Sequence, residues 1–264
     1  SDYIYNAIHG YIAGKGQPLT ETSMVATAPA TINVSGLIFA NNEAILQPSW
    51  INPDGGAITP PSSLGAYCIE LRDQAAVVVS SHCFDLDFME VESEGASDVD
   101  GFQFTLPYTN TVATIALTNA SETIAAYTRT ANTLQLSALS PNGGEEWLAP
   151  AYEQISWEAT DLDGDELTFA VLYSHDDGVS WNVLATNIMA TELDVDASRL
   201  TGGTARIRVI ATDGFNTTEI QSAAPFLVGE QGPMITILTP QSNSTITDGS
   251  LVYLSAHAYD LEDG

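Results

Sequence analysis

Short runs of apolar and β-branched residues, separated by polar turns, recur along most of this chain. From "SMVATA" and "TINVSGLIFA" to "TIAAYTRT" and "LQLSAL", these runs predict a series of strands between about residues 23 and 139. In "GFQFTLPY", Phe102 and Phe104 alternate with Gln103 and Thr105, as on a strand with one buried face. Turn clusters such as "NPDGG" and "TPPSS" separate the runs. Many short strands with regular turn signals predict antiparallel β-sandwiches.

The pattern divides the chain into four segments, and each has its own predicted structure. Residues 1–16 predict a short helix, the tail of a preceding domain, because Ile4, Ile8 and Tyr11 fall on one face. Residues 17–139 predict one sandwich, and residues 140–230 predict an immunoglobulin- or fibronectin-like sandwich of about seven strands. Residues 231–264 predict the start of a further, truncated module of this kind, because "LSAHAYDLEDG" partly repeats "ISWEATDLDGD". The predicted fold class is all-β, with tandem antiparallel sandwiches and one N-terminal helix.

The two cysteines, Cys68 and Cys83, flank a predicted hairpin that turns near Asp73–Ala76. Pairing Asp73 with Val78 places Cys68 opposite Cys83, and directly opposed residues have β-carbons about 4.5–5.5 Å apart. A cross-strand disulfide is therefore expected and would indicate an oxidising compartment. The alternative is a pair of buried free thiols.

The charge balance excludes some classes of function for this protein. Six Lys and Arg residues stand against 34 Asp and Glu residues, for a formal net charge of −28. Nucleic acid is excluded as a partner because its binding requires basic groups to neutralise phosphates. The absence of a long apolar run argues against membrane insertion. Solubility in salty surroundings is one explanation of the acidity, and the binding of divalent cations is another.

The acidic loop "DLDGDE" is the clearest candidate site. Asp161, Asp163 and Asp165 alternate, and oxygen-rich loops of this kind suit Ca²⁺. In a seven-stranded sandwich this loop lies at the same end as "ATDGFN", which carries Asp213 and Asn216. We therefore expect these five residues to bind calcium, the alternative being a solvated acidic turn. The equivalent loop with Asp260, Glu262 and Asp263 predicts half of a second site.

The segment "SHDDGVSW" has the spacing of an Asp-box, a hairpin turn held by side-chain hydrogen bonds above a packed tryptophan. Its residues are Ser174, Asp176, Gly178, Ser180 and Trp181. The motif resembles those of sialidases, in which Asp-boxes lie away from the active site. We expect a structural turn at the end of the sandwich opposite to Asp161.

Catalytic motifs are missing from the sequence. The four histidines, at positions His9, His82, His175 and His257, form no HExxH motif or other ligand pair. No serine lies in a GxSxG elbow. A pair of carboxylates of the kind that glycosidases use would have to be brought together by the fold from distant parts of the sequence. We therefore expect no enzymatic activity from this segment itself.

Two segments resemble known families. "SPNGGEEW", "ISWEATDLDGDELTFAVLYSHDDGVSW" and "IRVIATDG" resemble the immunoglobulin-like modules of large secreted bacterial and archaeal proteins. "SDYIYNAI" resembles the segment after the methionine-turn of secreted zinc metallopeptidases, and "GAYCIELRD…SSHCFDLDF" resembles the domain that follows it. The resemblance implies a parent metallopeptidase, but its zinc-binding helix is absent and no catalytic residue carries over.

Two functional hypotheses follow from these patterns. In the first, the chain is a non-catalytic accessory region of an extracellular metallopeptidase, stabilised by calcium, which spaces the parent catalytic domain or docks substrate. In the second, it is part of a surface adhesin, surface layer or filament built from neighbouring β-modules, with protein or glycan partners at the cell surface. Carbohydrate binding would require exposed coplanar aromatic side chains, whereas the four tryptophans are expected in strands or packed turns.

Overall fold

The computed structural model describes residues 29–61, 64–88, 97–120, 122–148, 151–230 and 232–260. The predicted N-terminal helix and the predicted strand "SMVATA" lie outside these residues. Almost all regular structure in the described part is β, in sheets that form two successive sandwiches and a separate hairpin. The strand pairs are antiparallel except that of Glu146–Trp147 with Phe226–Val228, which is parallel. No helix in the described part has the length and apolarity needed to cross a bilayer.

The first sandwich packs two sheets face to face. Its strands are β1 (Thr31–Phe39), β2 (Ala44–Leu46), β3 (Trp50–Asn52), β4 (Tyr67–Asp73), β5 (Val78–Phe84), β6 (Val99–Pro107), β7 (Val112–Asn119) and β8 (Glu122–Thr128). In one sheet β1 pairs with β6 along one edge and with β2 and β3 along the other, and the second sheet has the order β5-β4-β7-β8. Branched aliphatic and aromatic side chains from both sheets form the core, among them Ile32, Val34, Ile69, Phe102, Ile115 and Leu117.

The predicted strand "AILQPSWI" is interrupted at Pro48 and forms two short strands. Proline has no N–H group to donate to a sheet ladder, so the chain leaves β1 at this point. The interruption has a structural consequence, because the backbone N–H of Ser49 donates instead to the carbonyl of Gly214 in the second sandwich (3.0 Å).

The predicted disulfide is confirmed: Cys68 on β4 is bonded to Cys83 on β5. The predicted pairing of Asp73 with Val78 is wrong, because Arg72 pairs with Val78 and Asp73 begins the turn. A β-bulge beyond Leu71 restores the predicted register, so Cys68 and Cys83 are directly opposed.

The second sandwich contains β9 (Gln135–Ser140), β10 (Glu146–Trp147), β11 (Tyr152–Thr160), β12 (Thr168–Ser174), β13 (Asn182–Ile188), β14 (Glu192–Asp196), a 3₁₀ turn (Ala197–Arg199), β15 (Gly203–Thr212), β16 (Thr217–Gln221) and β17 (Phe226–Val228). A three-stranded sheet, β14-β11-β9, faces a larger sheet, β10-β17-β15-β12-β13, with β16 paired to β15. Between them lies a core that includes Leu139, Ile155, Trp157, Phe169, Val171 and Val209.

Strand β9 belongs to the second sandwich. The sequence pattern predicts "LQLSAL" in the preceding unit and a boundary after residue 139. In the structure, β9 pairs with β11, and Leu134 and Leu139 lie in the second core. Periodicity alone identifies a strand without identifying its partner, which explains the difference. The connection between the sandwiches therefore runs from Arg129 to about Leu134.

The last two strands, β18 (Met234–Thr239) and β19 (Ser255–Tyr259), form an antiparallel hairpin. The hairpin follows the second sandwich and falls within the predicted third module.

The two sandwiches share an interface at which each contributes an aromatic side chain. Trp50 of the first sandwich packs with Ala170, Leu172, Trp181 and Ile210 on the outer face of the second. Phe215, in the β15–β16 loop of the second sandwich, joins the core of the first and is almost completely buried.

Gly214 allows this close approach. It has a φ of +99°, and a β-carbon at this position would lie 2.8 Å from the ring of Tyr127. Two hydrogen bonds between side chain and backbone also cross the interface: Thr212 Oγ1 donates to the carbonyl of Ser49 (2.7 Å), and Ile51 N–H donates to Thr217 Oγ1 (2.9 Å).

Substitution of Phe215 by alanine should destabilise the first sandwich although the residue lies in the second. Removal of a fully buried phenyl ring costs about 3–5 kcal/mol. The measurement is the free energy of unfolding from urea titration. The control is Val179→Ala at an exposed position, with an expected change below about 0.5 kcal/mol. A Phe215→Ala change as small as that of the control would contradict the insertion of Phe215 into the first core.

Candidate functional site

The acidic loop between β11 and β12 is folded around the side chain of Asp161. Asp161 Oδ1 accepts hydrogen bonds from the backbone N–H groups of Asp163 (2.7 Å), Gly164 (2.9 Å) and Asp165 (3.4 Å). Gly164 adopts a φ of +80°, a left-handed conformation that glycine accepts without steric cost. The loop thereby brings one oxygen from each of Asp161, Asp163 and Asp165 within 4.8 Å of one another.

Two carboxylate oxygens of this cluster are buried and lack hydrogen-bond partners. They are Asp161 Oδ2 and Asp165 Oδ2. A buried polar atom left unpaired is unfavourable, and neighbouring carboxylates repel each other in addition. A hard cation would satisfy both oxygens, and Ca²⁺ accepts six to eight oxygen ligands in a tolerant geometry. The donor set therefore fits calcium.

Asp163 has a further role in connecting the sandwiches. Its Oδ2 accepts from the backbone N–H of Asn132 and its Oδ1 accepts from Asn132 Nδ2, both at 2.7 Å. The backbone and side-chain hydrogen bonds from Asn132 hold the pKa of Asp163 below its usual range. Asn132 lies in the connection between β8 and β9, so the acidic loop is bound to the segment that joins the two sandwiches. Nothing in the sequence around Asn132 indicated this role.

The β15–β16 loop meets the acidic loop at the same end of the sandwich, since Thr168 pairs with Thr212. Asp213 is not among the three clustered carboxylates. Its Oδ1 accepts from the N–H groups of Phe215 (2.8 Å) and Asn216 (2.6 Å), and its Oδ2 accepts from Asn216 Nδ2 (2.8 Å). Asp213 and Asn216 thus hold the turn that presents Phe215 to the first sandwich, a role that the sequence did not indicate.

A crevice of about 320 Å³ separates the two loops at the junction. Asp165 and Glu166 line one wall, Asp213 and Gly214 line another, and Tyr127 of the first sandwich contributes its ring. Burial raises the pKa of Tyr127, and the charge of Glu166 adds to the effect. The carboxylates of the crevice therefore create a negative field next to the Asp161 cluster.

The remaining candidate residues contribute no further cluster in the described part of the chain. Asp260 directly follows β19, while Glu262 and Asp263 lie outside the described residues. The cluster of possible metal ligands found in the described ranges contains no histidine. His82 lies on β5, and burial lowers its pKa.

The hairpin between β12 and β13 has the hydrogen bonds of the predicted Asp-box. Asp176 Oδ1 accepts from Ser174 Oγ (2.7 Å) and from the N–H of Ser180 (2.8 Å), while Asp176 Oδ2 accepts from Ser180 Oγ (2.6 Å). Gly178 N–H donates to Ser174 Oγ, and its carbonyl accepts from Trp181 Nε1 (3.1 Å). Since Ser174 pairs with Arg206, the turn lies at the end of the sandwich opposite to the acidic loop.

Comparison with known proteins identifies no family for this chain. No protein-family model matches the chain, and no curated protein matches it significantly. Among solved structures, the chain is similar to fibronectin(III)-like modules of Clostridium thermocellum CbhA, at 16% sequence identity and a TM-score of 0.30, over 76% of this chain and 86% of that one. A TM-score of 0.30 does not establish a shared fold. The assignment of two β-sandwiches therefore rests on the strand pairing and the two cores of this chain.

The Asp-box predicts a pH-dependent contribution to stability. Burial alone would raise the pKa of Asp176, but hydrogen bonds from Ser180 and Ser174, together with the charge of His175, lower it overall. A carboxyl group with a lowered pKa in the folded state stabilises the fold above its unfolded pKa of about 3.9. This contribution is lost as the pH falls through the lower, folded value.

Asp176→Ala should therefore reduce the free energy of unfolding at pH 6 and reduce it less at pH 3. Urea titrations of both proteins at the two pH values measure the difference. Asp194→Ala, at an exposed position on β14, is the matched control. An equal loss for Asp176→Ala at both pH values would contradict the proposed origin of the stability.

Proposed function

We propose that this chain is a non-catalytic accessory region of an extracellular protein, in which two β-sandwiches are held in a fixed relative orientation. The observation that carries the proposal is the junction, where Trp50 and Phe215 each pack against the neighbouring sandwich. Inter-domain contacts of this kind restrict relative motion. A region of this construction separates and orients whatever is joined to it.

Calcium at Asp161, Asp163 and Asp165 would stabilise the same junction. The unpaired, buried Oδ2 atoms of Asp161 and Asp165 support this assignment, and Asp163 links the loop to Asn132. A bound cation would therefore stabilise the connection between the sandwiches as well as the loop itself. In a chain of net charge −28 it would also reduce carboxylate repulsion.

The extracellular location is supported by the Cys68–Cys83 disulfide, since disulfides persist in oxidising compartments. For the parent protein we propose a secreted zinc metallopeptidase, on the resemblance of "SDYIYNAI" and of the cysteine-containing hairpin segment. The modules would then space or orient the catalytic domain or dock its substrate. The gene sequence upstream of Ser1 tests this point, because an HExxH motif there supports a peptidase and further β-modules contradict it.

The alternative function is that of a surface adhesin, surface-layer or filament component. The hairpin β18–β19, which follows the second sandwich as part of another β-unit, favours a tandem array of modules. Glycan binding through a platform of tryptophan side chains is not supported, because Trp50, Trp147, Trp157 and Trp181 are all buried.

Calcium should raise the melting temperature of the chain relative to the chelated protein. A cation present at about 100 times its Kd stabilises the folded state by about 2.7 kcal/mol, which corresponds to roughly 5–10 °C for a protein of this size. Differential scanning calorimetry in calcium and in EDTA measures the shift, and isothermal titration gives the stoichiometry.

Asp165→Asn should abolish most of this shift because it removes a ligand charge while retaining the side-chain shape. Asp194→Asn removes the same charge from an exposed site outside the cluster and should retain the shift. Equal shifts in the two variants would show that calcium acts elsewhere. No calcium response in the unmodified chain would refute the calcium site.

A further inference from the structure

Each residue pair that joins β9 to β11 recurs in the hairpin β18–β19, with both partners 99 residues further along the chain. Ser140 pairs with Ser156 and Thr239 pairs with Ser255, so both partners are displaced by 99 residues. The pairs Leu136–Ala159 and Ile235–Ala258 have the same displacement.

Both ladders also shift register at the same place. In each ladder an irregularity follows the pair nearest the end of the first strand, and a proline comes directly after that strand (Pro141 and Pro240). The hairpin β18–β19 is therefore built in the same way as the pair of strands β9 and β11 in the second sandwich.

Equivalent apolar positions differ sharply in exposure. Leu139 and Ile155 are 4% and 0% exposed in the second sandwich, whereas their equivalents Leu238 and Leu254 are 53% and 81% exposed. Trp147 is 5% exposed and its equivalent Ile246 is 50% exposed. The positions that form a core in one unit are thus uncovered in the other.

In the second sandwich, the β14-β11-β9 sheet is covered by the sheet that contains β12, β15 and β17. The inner face of this larger sheet consists of apolar side chains such as Phe169, Val171 and Val209. The repeat of register and of apolar positions indicates what fits the exposed hairpin, namely a sheet of the same kind with an apolar inner face.

We propose that β18–β19 is one half of a sandwich core and that its apolar face docks a facing antiparallel sheet equivalent to β12–β17. The hairpin is then the docking surface of a module that repeats the second sandwich with a period of 99 residues. This inference does not depend on calcium binding or on the identity of the parent protein.

The test is to supply the facing sheet from the chain's own sequence. A second copy of residues 162–230 is joined after Asp260, the residue equivalent to Asp161, so that the hairpin is followed by the strands that complete the second sandwich. Hydrogen exchange is measured by mass spectrometry on the peptides that cover β18 and β19. We expect exchange of their amides to slow by about 100-fold or more relative to the unextended chain, because they become part of a cooperative core.

The matched control is the same extended chain with Leu238→Asp and Leu254→Asp, in which exchange should remain fast. Ile246 and Ala256 replace the core tryptophans Trp147 and Trp157, so a second version carries Ile246→Trp and Ala256→Trp to restore the lost volume. Fast exchange of β18 and β19 in both extended versions would overturn the proposal, whether or not the appended strands fold.

The unextended chain provides an independent measurement. It should sediment as a monomer and bind a hydrophobic dye, and Leu238→Asp with Leu254→Asp should reduce dye binding without changing the melting temperature. A dimer that these substitutions convert to a monomer would overturn the proposed occupant, because a second copy would then cover the hairpin.

Discussion

The arrangement of the two sandwiches depends on the insertion of Phe215 into the core of the first. The ring lies at the tip of a four-residue loop that Asp213 holds through hydrogen bonds to two backbone N–H groups. Gly214 admits Tyr127 at a distance that a β-carbon would prevent. Arg129 lies 4.9 Å from the centre of the Phe215 ring, so the residue that begins the connection also contacts the inserted side chain. The loop, the ring and the connection therefore form one structural unit.

The arginines in the described part of this acidic protein make local contacts. Arg206 pairs with Asp177 at 2.5 Å beside the Asp-box, and Arg72 pairs with Glu70 at 2.7 Å on β4. Arg208 lies 4.1 Å above the ring of Trp181, close to where Trp50 packs. These contacts neutralise little of the net charge, so most of the acidity stays uncompensated by protein groups.

Sequence patterns predicted the local features of this fold better than the long-range ones. Strand periodicity, the opposition of Cys68 and Cys83 and the spacing of the Asp-box all depend on residues close together in the chain. The assignment of β9 and the role of Asn132 depend on partners that lie in other elements, and hydrophobic pattern contains no information about them. Asp213 shows the same limit, because its position at the correct end of the sandwich was predictable while its use within the turn was not.

The connection between the sandwiches is fixed at three points along its length. The N–H of Arg129 donates to the carbonyl of Ala113, Asn132 is bound by Asp163, and the carbonyl of Leu134 accepts from Thr218 while its side chain lies in the second core. Proteases cleave segments that can leave the surface and extend into an active-site cleft, which is why flexible connections between domains are the usual points of nicking. Here the connection cannot be released without breaking contacts of both sandwiches. This anchoring should make the connection between the two sandwiches a poor site for cleavage by peptidases.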